Sequence, residues 1–240
     1  MYDRAETAQA NDRLWSAVRN ALGYGPETLT RDMDVWDIWQ SPDLLLAQTC
    51  GYPYRAHLHN HVELVGTPDY GVDGCPPGYY NSVFIARRDD TRKFLTDFSE
   101  TIFAYNEPMS QSGWAAPVHH VTTLGMKFGE AKKSGAHVMS ARLVAEGQAD
   151  IAAIDAVTWA LIEKYDKFSR DLHIVERTEP TPGLPYISAL GSDKSALFAA
   201  MDVAIRSLAN TDRQTLQIKG IVDIPVVKYL KISTPAAPTS

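Results

Sequence analysis

The chain of 240 residues is predicted to adopt an α/β fold, because short apolar strands alternate with helices from Phe94 onward. Short strands that lie between helices are typical of a parallel sheet covered on both faces. The proline-rich stretch 178–185 interrupts this alternation and is a candidate crossing between domains. A chain of this length can form one large domain or two lobes of roughly 100 residues each.

The first third of the sequence predicts a helix followed by mixed elements. Leu14, Trp15, Val18 and Leu22 recur at helical spacing, and Gly23 ends the pattern. The elements predicted next are a short helix at 34–39, strands at 44–47 and 62–67, a loop at 71–78 and a strand at 82–86.

The remaining elements follow the alternation of strands and helices. The predicted strands are 101–105, 150–154 and 172–177, and the predicted helices are 112–124 (broken), 138–146, 156–165 and 194–208. An apolar run at 221–230 completes the predicted fold. The tail 233–240 is rich in proline, serine and threonine and is predicted to be disordered.

Composition excludes some classes of partner. The net charge of −6 argues against binding to nucleic acid, whose phosphate backbone requires a basic surface. No apolar run approaches the roughly 20 residues that a membrane-spanning helix needs, so we expect no direct membrane insertion. The opening residues 1–6 are charged and lack the apolar core of a signal peptide, which taken literally predicts a cytosolic chain.

The two cysteines, Cys50 and Cys75, lie in turn-like surroundings. They could form a disulfide in an oxidising compartment, or remain two partly buried thiols. The sequence leaves both alternatives open.

The stretch Tyr105–Trp114, which we call the cradle segment, is the most informative in the chain. Ser110 and Ser112 stand one residue apart, and Gly113 allows the backbone to approach a ligand closely. A strand that ends in such a turn before a helix offers backbone N–H groups and the positive end of a helix dipole, which suit phosphate, phosphonate, sulfate or carboxylate. An ordinary helix N-cap is the alternative interpretation.

Six sequence blocks together resemble the periplasmic substrate-binding proteins of phosphate, phosphite and phosphonate ABC transporters. This family is the PhnD-like branch of the type II periplasmic binding proteins. In chain order the blocks are 43–53, 80–90, 106–114, 134–137, 145–155 and 182–186. Each block is short, and the resemblance rests on their order and spacing.

The resemblance implies two α/β lobes, each a mostly parallel sheet flanked by helices, with a ligand held in the cleft between them. The expected lobe I comprises residues 1–86 and 188–232, the expected lobe II residues 87–187, and residues 233–240 are the tail. Family members usually have a further strand before a sequence like that around Met1. We therefore expect the chain to be part of a longer reading frame or a shortened relative.

The same resemblance implies a function. The chain is expected to be a periplasmic receptor, without enzymatic activity, cofactor or metal, that captures a small oxyanion for uptake by an ABC transporter permease. The alternatives are a cytosolic ligand sensor of the same fold and, as a third class, a metal-dependent or biosynthetic enzyme. His57, His59 and His61 favour a metal site if they share one face of a strand, whereas exposed histidines are the simpler interpretation.

Ser110, Ser112, Gly113 and Asn106 are the ligand-binding residues that the cradle segment and the resemblance indicate. His137 precedes a predicted helix, where its ring can donate to an anionic oxygen or can simply lie at the helix N-terminus or on the surface.

Asp155 ends a predicted strand, where it can hold a ligand amine or cap the helix that follows. Gln48 and Thr49 follow a strand of the first lobe, and Tyr80 lies near the crossing. The resemblance places these three residues at the same ligand.

Overall fold

The computed structural model describes residues 2–238 and divides the chain into two compact units. Unit 1 comprises the residues up to Tyr79 together with Pro182–Lys231. Unit 2 comprises Tyr80–Thr181 together with the residues from Ile232 onward. Met1, Thr239 and Ser240 lie outside the described residues, and so do the parts of our predictions that concern them.

The secondary structure contains helices and strands throughout both units. The helices are α1 (Ala8–Leu22), α2 (Val35–Trp39), α3 (Gly51–Pro53), α4 (Ala116–Thr123), α5 (His137–Ala145), α6 (Ala156–Tyr165), α7 (Lys194–Ser207), α8 (Asn210–Leu216) and α9 (Val226–Leu230). The strands are β1 (Ala47–Gln48), β2 (Val62–Asp69), β3 (Tyr79–Tyr80), β4 (Ser82–Arg87), β5 (Ile102–Tyr105), β6 (Glu130–Lys133), β7 (Ile151–Asp155), β8 (Leu172–Arg177), β9 (Thr181–Pro182), β10 (Tyr186–Ala189) and β11 (Gly220–Val222). Single π-helical or 3₁₀ turns lie at Tyr54–Leu58, Leu95–Phe98, Gln111–Ala115 and Lys167–Asp171.

The sheet of unit 1 has the strand order β1-β10-β2-β11, and every neighbouring pair is antiparallel. The expectation of a mostly parallel sheet is therefore wrong for this unit. The chain passes through α7 and α8 between β10 and β11, and these two strands do run in the same direction. However, β2 lies between them and runs the opposite way, so the helical crossover does not join neighbouring strands.

A helical layer covers this sheet. The apolar side of α1, which includes Leu14, Trp15 and Val18, packs against Met201 and Ile205 of α7. Arg13 of α1 also donates two hydrogen bonds, of 2.7 and 2.6 Å, to the carboxylate of Asp212 in α8. The apolar residues that recur at helical spacing in the sequence are therefore the ones that α1 buries in this core.

The sheet of unit 2 has the order β6-β5-β7-β4-β8 and is mixed. Its β5 pairs in parallel with β6 and β7, whereas β4 is antiparallel to both β7 and β8. Every residue of β7 is buried, as expected for a central strand that is covered on both faces. Because β5 and β7 are parallel neighbours, their carboxyl ends lie at the same edge of the sheet.

The divisions between the units lie earlier in the chain than the sequence suggested. A division at 86/87 would cut through β4, which pairs along its length within the sheet of unit 2. A return at 187/188 would cut through β10, a strand of the unit 1 sheet. In the structure the chain instead passes between units at β3 and β9, which pair with each other as a two-stranded ladder.

The histidine-rich segment does not form the strand that a metal site would require. His57 belongs to a π-helical turn and contacts Trp36 edge-on, and His59 follows that turn. Residues two apart in sequence do not share a face of a helix. Within residues 2–238, no group of three or more His, Cys, Asp or Glu side chains is arranged to hold a metal ion.

Two further observations bear on the sequence predictions. Cys50 and Cys75 are half-buried thiols in the structure. None of the helices in the described part of the chain has the length and apolar character needed to cross a membrane.

Candidate functional site

The cradle segment follows β5 at the carboxyl edge of the unit 2 sheet. Ser110 precedes the π-helical turn Gln111–Ala115, and its Oγ accepts a hydrogen bond of 2.9 Å from the backbone N–H of Gly113. The backbone carbonyl of Ser110 accepts the N–H groups of Trp114 and Ala115. Ser110 is therefore an N-cap, as the alternative interpretation predicted, and it fixes the shape of the turn that carries Ser112 and Gly113.

His137 is brought to this turn by the start of α5. Its Nε2 lies 2.9 Å from Oγ of Ser112, within hydrogen-bonding distance. The turn before α5 is attached to the end of β5, because the N–H of Ser134 donates to the carbonyl of Tyr105 (2.8 Å) and the N–H of Gly135 donates to that of Asn106 (3.0 Å). The two segments that form the site are thus joined directly through their backbones.

Gly113 lies between the side chains of Asn106 and His137. A Cβ atom at position 113 would collide with Oδ1 of Asn106 and would lie 3.2 Å from Cε1 of His137. Oδ1 of Asn106 is buried and has no hydrogen-bond partner within the part of the chain that the structure describes. An amide oxygen accepts hydrogen bonds, so it is the NH₂ group of the same side chain that could donate to an anion.

We call Asn106, Ser110, Ser112, Gly113 and His137 the polar cluster. The sequence proposed all five residues, and the structure brings them together within unit 2. It also adds Ser134, whose Oγ donates to nearby carbonyls or meets Oγ of Ser140 at 2.7 Å. The sequence signal for this supporting turn is the serine and glycine at 134 and 135, which lie just before a predicted helix and belong to one of the six family blocks.

Burial makes His137 neutral at physiological pH. Burial lowers the pKa of the ring from 6.5 to about 4, and a smaller effect of the backbone of Ala153 opposes that shift. A neutral imidazole has one donor and one acceptor nitrogen. If Nε2 carries the proton, it donates to the oxygen of the Ser112 hydroxyl, which then keeps its own proton for a ligand.

The buried ring predicts a pH-dependent stability. The unfolded chain binds a proton on His137 below about pH 6.5, whereas the folded chain binds it only near pH 4. The stabilisation is therefore fully present above pH 6.5 and is lost as the pH falls towards 4. We expect the free energy of unfolding to fall over this range by about 2 kcal/mol more in the wild type than in His137→Gln, a value reduced for solvent screening because the residue as a whole is half-buried, although its Nδ1 is inaccessible.

Urea unfolding at several pH values between 4 and 7 measures this difference. The matched control is His61→Gln, which replaces an exposed histidine of unit 1. Parallel pH profiles for the wild type and His137→Gln would contradict the assignment.

Asp155 acts as the cap of α6 in the structure. Its Oδ1 accepts the backbone N–H groups of Val157 at 2.7 Å and Thr158 at 2.9 Å, and the residue is only 2% exposed. This is the capping alternative that the sequence left open. A role for Asp155 in holding a ligand amine stays a prediction.

The other three proposed residues lie elsewhere in the fold. Gln48 of unit 1 donates through Nε2 to Tyr70 (3.2 Å) and to the carbonyl of Leu184 (3.1 Å). Thr49, also in unit 1, is fully buried, and its Oγ1 has no hydrogen-bond partner among residues 2–238. Tyr80 belongs to β3 and is 2% exposed. Ligand contacts from these three residues stay predictions.

The comparisons with known proteins agree with this architecture. Residues 41–225 match a family model described as the periplasmic substrate-binding protein of a phosphonate ABC transporter. No curated protein matches the sequence of the chain.

Several solved structures are similar to the chain. PhnD1 from Prochlorococcus marinus in complex with methylphosphonate has a TM-score of 0.74 at 15% identity, with 95% of this chain and 91% of that chain covered. A binding protein component of a phosphonate ABC transporter from Pseudomonas aeruginosa has a TM-score of 0.64 at 18% identity, with coverage of 90% and 77%. XAC2383 from Xanthomonas citri bound to ATP has a TM-score of 0.66 at 15% identity, with coverage of 95% and 90%. At these identities the likeness establishes the fold.

Proposed function

Because the chain belongs to the family of periplasmic substrate-binding proteins of phosphonate ABC transporters, we propose that its polar cluster binds the oxyanion group of a phosphonate- or phosphate-like solute. The observation that carries the proposal is the convergence of Asn106, Gly113 and His137 at the serine turn. The interlobe cleft that the family resemblance implies stays a prediction alongside it.

The chemistry of the cluster suits an anion that is held by hydrogen bonds. The hydroxyl of Ser110 accepts from Gly113 and keeps its own proton for donation. The backbone N–H of Ser112 lies in the first turn of the helical segment, where the turn itself provides no acceptor. None of the five residues is Lys or Arg, so dipoles and N–H or O–H donors would supply the attraction.

These donors can account for useful affinity. A hydrogen bond to a charged acceptor contributes about 1.5–3 kcal/mol, so three or four are sufficient for micromolar binding. The N–H of Gly113, which the sequence proposed as a ligand donor, is bonded to Ser110 in the structure. The backbone N–H of Ser112 is therefore the better candidate to donate a hydrogen bond to the ligand.

The polar cluster is better suited to binding than to catalysis. Ser112 and His137 lie at the distance of a nucleophile and its general base. However, a base works best when its pKa lies near the working pH, and burial lowers the pKa of His137 to about 4. We therefore propose a receptor that does not transform its ligand and that delivers it to an ABC permease, as the family description implies.

A thermal-shift screen tests the proposal with phosphate, phosphite, methylphosphonate, aminoethylphosphonate, sulfate and taurine. A ligand at a hundred times its Kd adds about 2.7 kcal/mol to the apparent stability, which is a visible shift. A preference for aminoethylphosphonate over methylphosphonate would favour the amine-binding role of Asp155.

The substitution Ser112→Ala is expected to weaken binding of the preferred anion by about 1–3 kcal/mol, because it removes one donor to a charged group. Isothermal titration calorimetry measures the change. The control is Ser16→Ala, which removes an exposed hydroxyl bonded to the carbonyl of Asp12 in α1. Equal affinities in wild type and Ser112→Ala would remove the serine from the site, and no shift with any anion would contradict the proposed ligand class.

A further inference from the structure

The segment that follows α9 is attached to unit 2 through a tryptophan of the cradle segment. Nε1 of Trp114 donates a hydrogen bond of 2.9 Å to the backbone carbonyl of Ala236, 122 positions away in sequence. Residues 233–238 contain no helix or strand. The disorder predicted for the tail stays a prediction.

Trp114 belongs to the same turn as the polar cluster. It directly follows Gly113, and its backbone N–H donates to the carbonyl of Ser110 at 3.2 Å. Its indole is 8% exposed and packs against the ring of Tyr105 at the end of β5, with 5.0 Å between the ring centroids. A displacement of this large, packed side chain would move the backbone on which Ser112 and Gly113 are carried.

Building on the proposed function, we propose that Trp114 is a positioning residue of the anion site. Its bond to the segment 232–238 holds the Ser110–Ala115 turn in the conformation that binds the ligand. Releasing the segment weakens anion binding, and a bound anion in turn secures the segment, because the coupling between two binding equilibria is reciprocal.

Hydrogen exchange of the ligand-free protein tests the positioning step without any ligand. Trp114→Phe retains an aromatic ring but removes the indole N–H. We expect it to accelerate exchange of the backbone amides in the turn, Gly113 included, by about three- to tenfold, the effect of losing one hydrogen bond.

A matched control is available in the same unit. Trp159 is 3% exposed, and its Nε1 has no hydrogen-bond partner in the part of the chain that the structure describes. Trp159→Phe therefore changes a buried tryptophan without breaking such a bond. It is expected to leave exchange at the turn unchanged.

Calorimetric titration with inorganic phosphate and with methylphosphonate tests the coupling to binding. We expect Trp114→Phe to raise Kd by about three- to tenfold. A chain shortened to end at Lys231 should lose at least as much affinity, and adding Trp114→Phe to the shortened chain should cost nothing further, since the bond to Ala236 is already absent. Limited proteolysis within 232–238 should slow when the preferred anion is bound to the wild type, but not when it is bound to Trp114→Phe.

The outcomes separate this inference from the proposed function. Faster exchange in Trp114→Phe without binding of either anion would support the positioning of the turn and contradict the proposed ligand. Unchanged exchange in both Trp114→Phe and the shortened chain would overturn the inference, whether or not the wild type binds an anion. Additive losses of affinity in the combined variant would also overturn it.

Discussion

Substituting Gly113 with alanine is expected to weaken oxyanion binding by about a hundredfold while leaving the fold nearly as stable as the wild type. The new methyl group would occupy the space now filled by Oδ1 of Asn106 and would press on the ring of His137. The amide of Asn106 can swing away at small cost to the fold, because it is the end of a side chain. The NH₂ group of the same amide, which is the part of Asn106 that can donate to an oxyanion, is displaced with it, and each lost bond to a charged acceptor costs about 1.5–3 kcal/mol.

Two measurements establish this contrast between binding and stability. Calorimetry gives the affinity for the anion selected by the thermal-shift screen, and urea unfolding gives the stability. Gly220→Ala is the control, since among residues 2–238, its two chain neighbours apart, no atom lies within 4 Å of the position that its Cβ would take. An affinity for Gly113→Ala within threefold of the wild type would show that the ligand does not contact this part of the cluster.

The core of the candidate site could be predicted from the sequence because its parts are local. An apolar strand, two serines, a glycine and a following helix stand next to one another in the chain, and their chemistry is that of an anion site. His137 was proposed because it precedes a predicted helix, where its ring can donate to an anionic oxygen. The strand β6 before it was not predicted, although its parallel pairing with β5 is what brings His137 to the same edge of the sheet.

The hydrogen bonds inside the site could not be predicted in the same way. Whether the N–H of Gly113 faces a ligand or Ser110 depends on a single π-helical turn, and sequence periodicity does not distinguish such a turn from an α-helix. Asp155 shows the same limit. A carboxylate before a helix fits both a ligand amine and a cap, and only the distances to Val157 and Thr158 identify the cap.

The sheet of unit 1 illustrates what alternation alone cannot determine. A helical connection between β10 and β11 correctly indicates that the two strands run in the same direction. It does not predict which strand lies between them. That strand is β2, which is distant from both in the sequence and pairs with each of them. Strand order is a property of tertiary packing, so the predicted class was right while the strand directions in this unit were not.

Replacing Gly183 with alanine is expected to produce the largest loss of stability, about 3 kcal/mol. Its Cβ would lie 2.7 Å from the backbone carbonyl oxygen of Gly78, which now accepts the N–H of Gly183 at 2.8 Å. Unlike the side chain beside Gly113, a backbone carbonyl cannot rotate away without moving its strand. Overpacking of this kind costs about 1–3 kcal/mol and occasionally more.

A buried hydrogen-bond chain would be disturbed at the same time. Tyr229 donates its hydroxyl proton to the carbonyl of Gly183 at 3.0 Å, so the contact of 2.6 Å with Thr67 is made by the hydroxyl of Thr67 donating to Tyr229. Burial raises the pKa of Tyr229 far above its usual range, which keeps this hydroxyl protonated. Shifting Gly183 therefore strains a bond whose loss leaves buried polar atoms unpaired.

Urea unfolding followed by tryptophan fluorescence and circular dichroism measures the predicted loss, with Gly220→Ala as the control in the same unit. Because the two units can unfold separately, transitions seen by the two probes are compared before a free energy is assigned. If the urea midpoint of Gly183→Ala equals that of Gly220→Ala, the backbone around Gly78 can move to accommodate the new methyl group at little cost in stability. Because Gly78 directly precedes β3 and Gly183 directly follows β9, the backbone around this two-stranded ladder would then be more easily deformed than the 2.8 Å hydrogen bond between the two glycines implies.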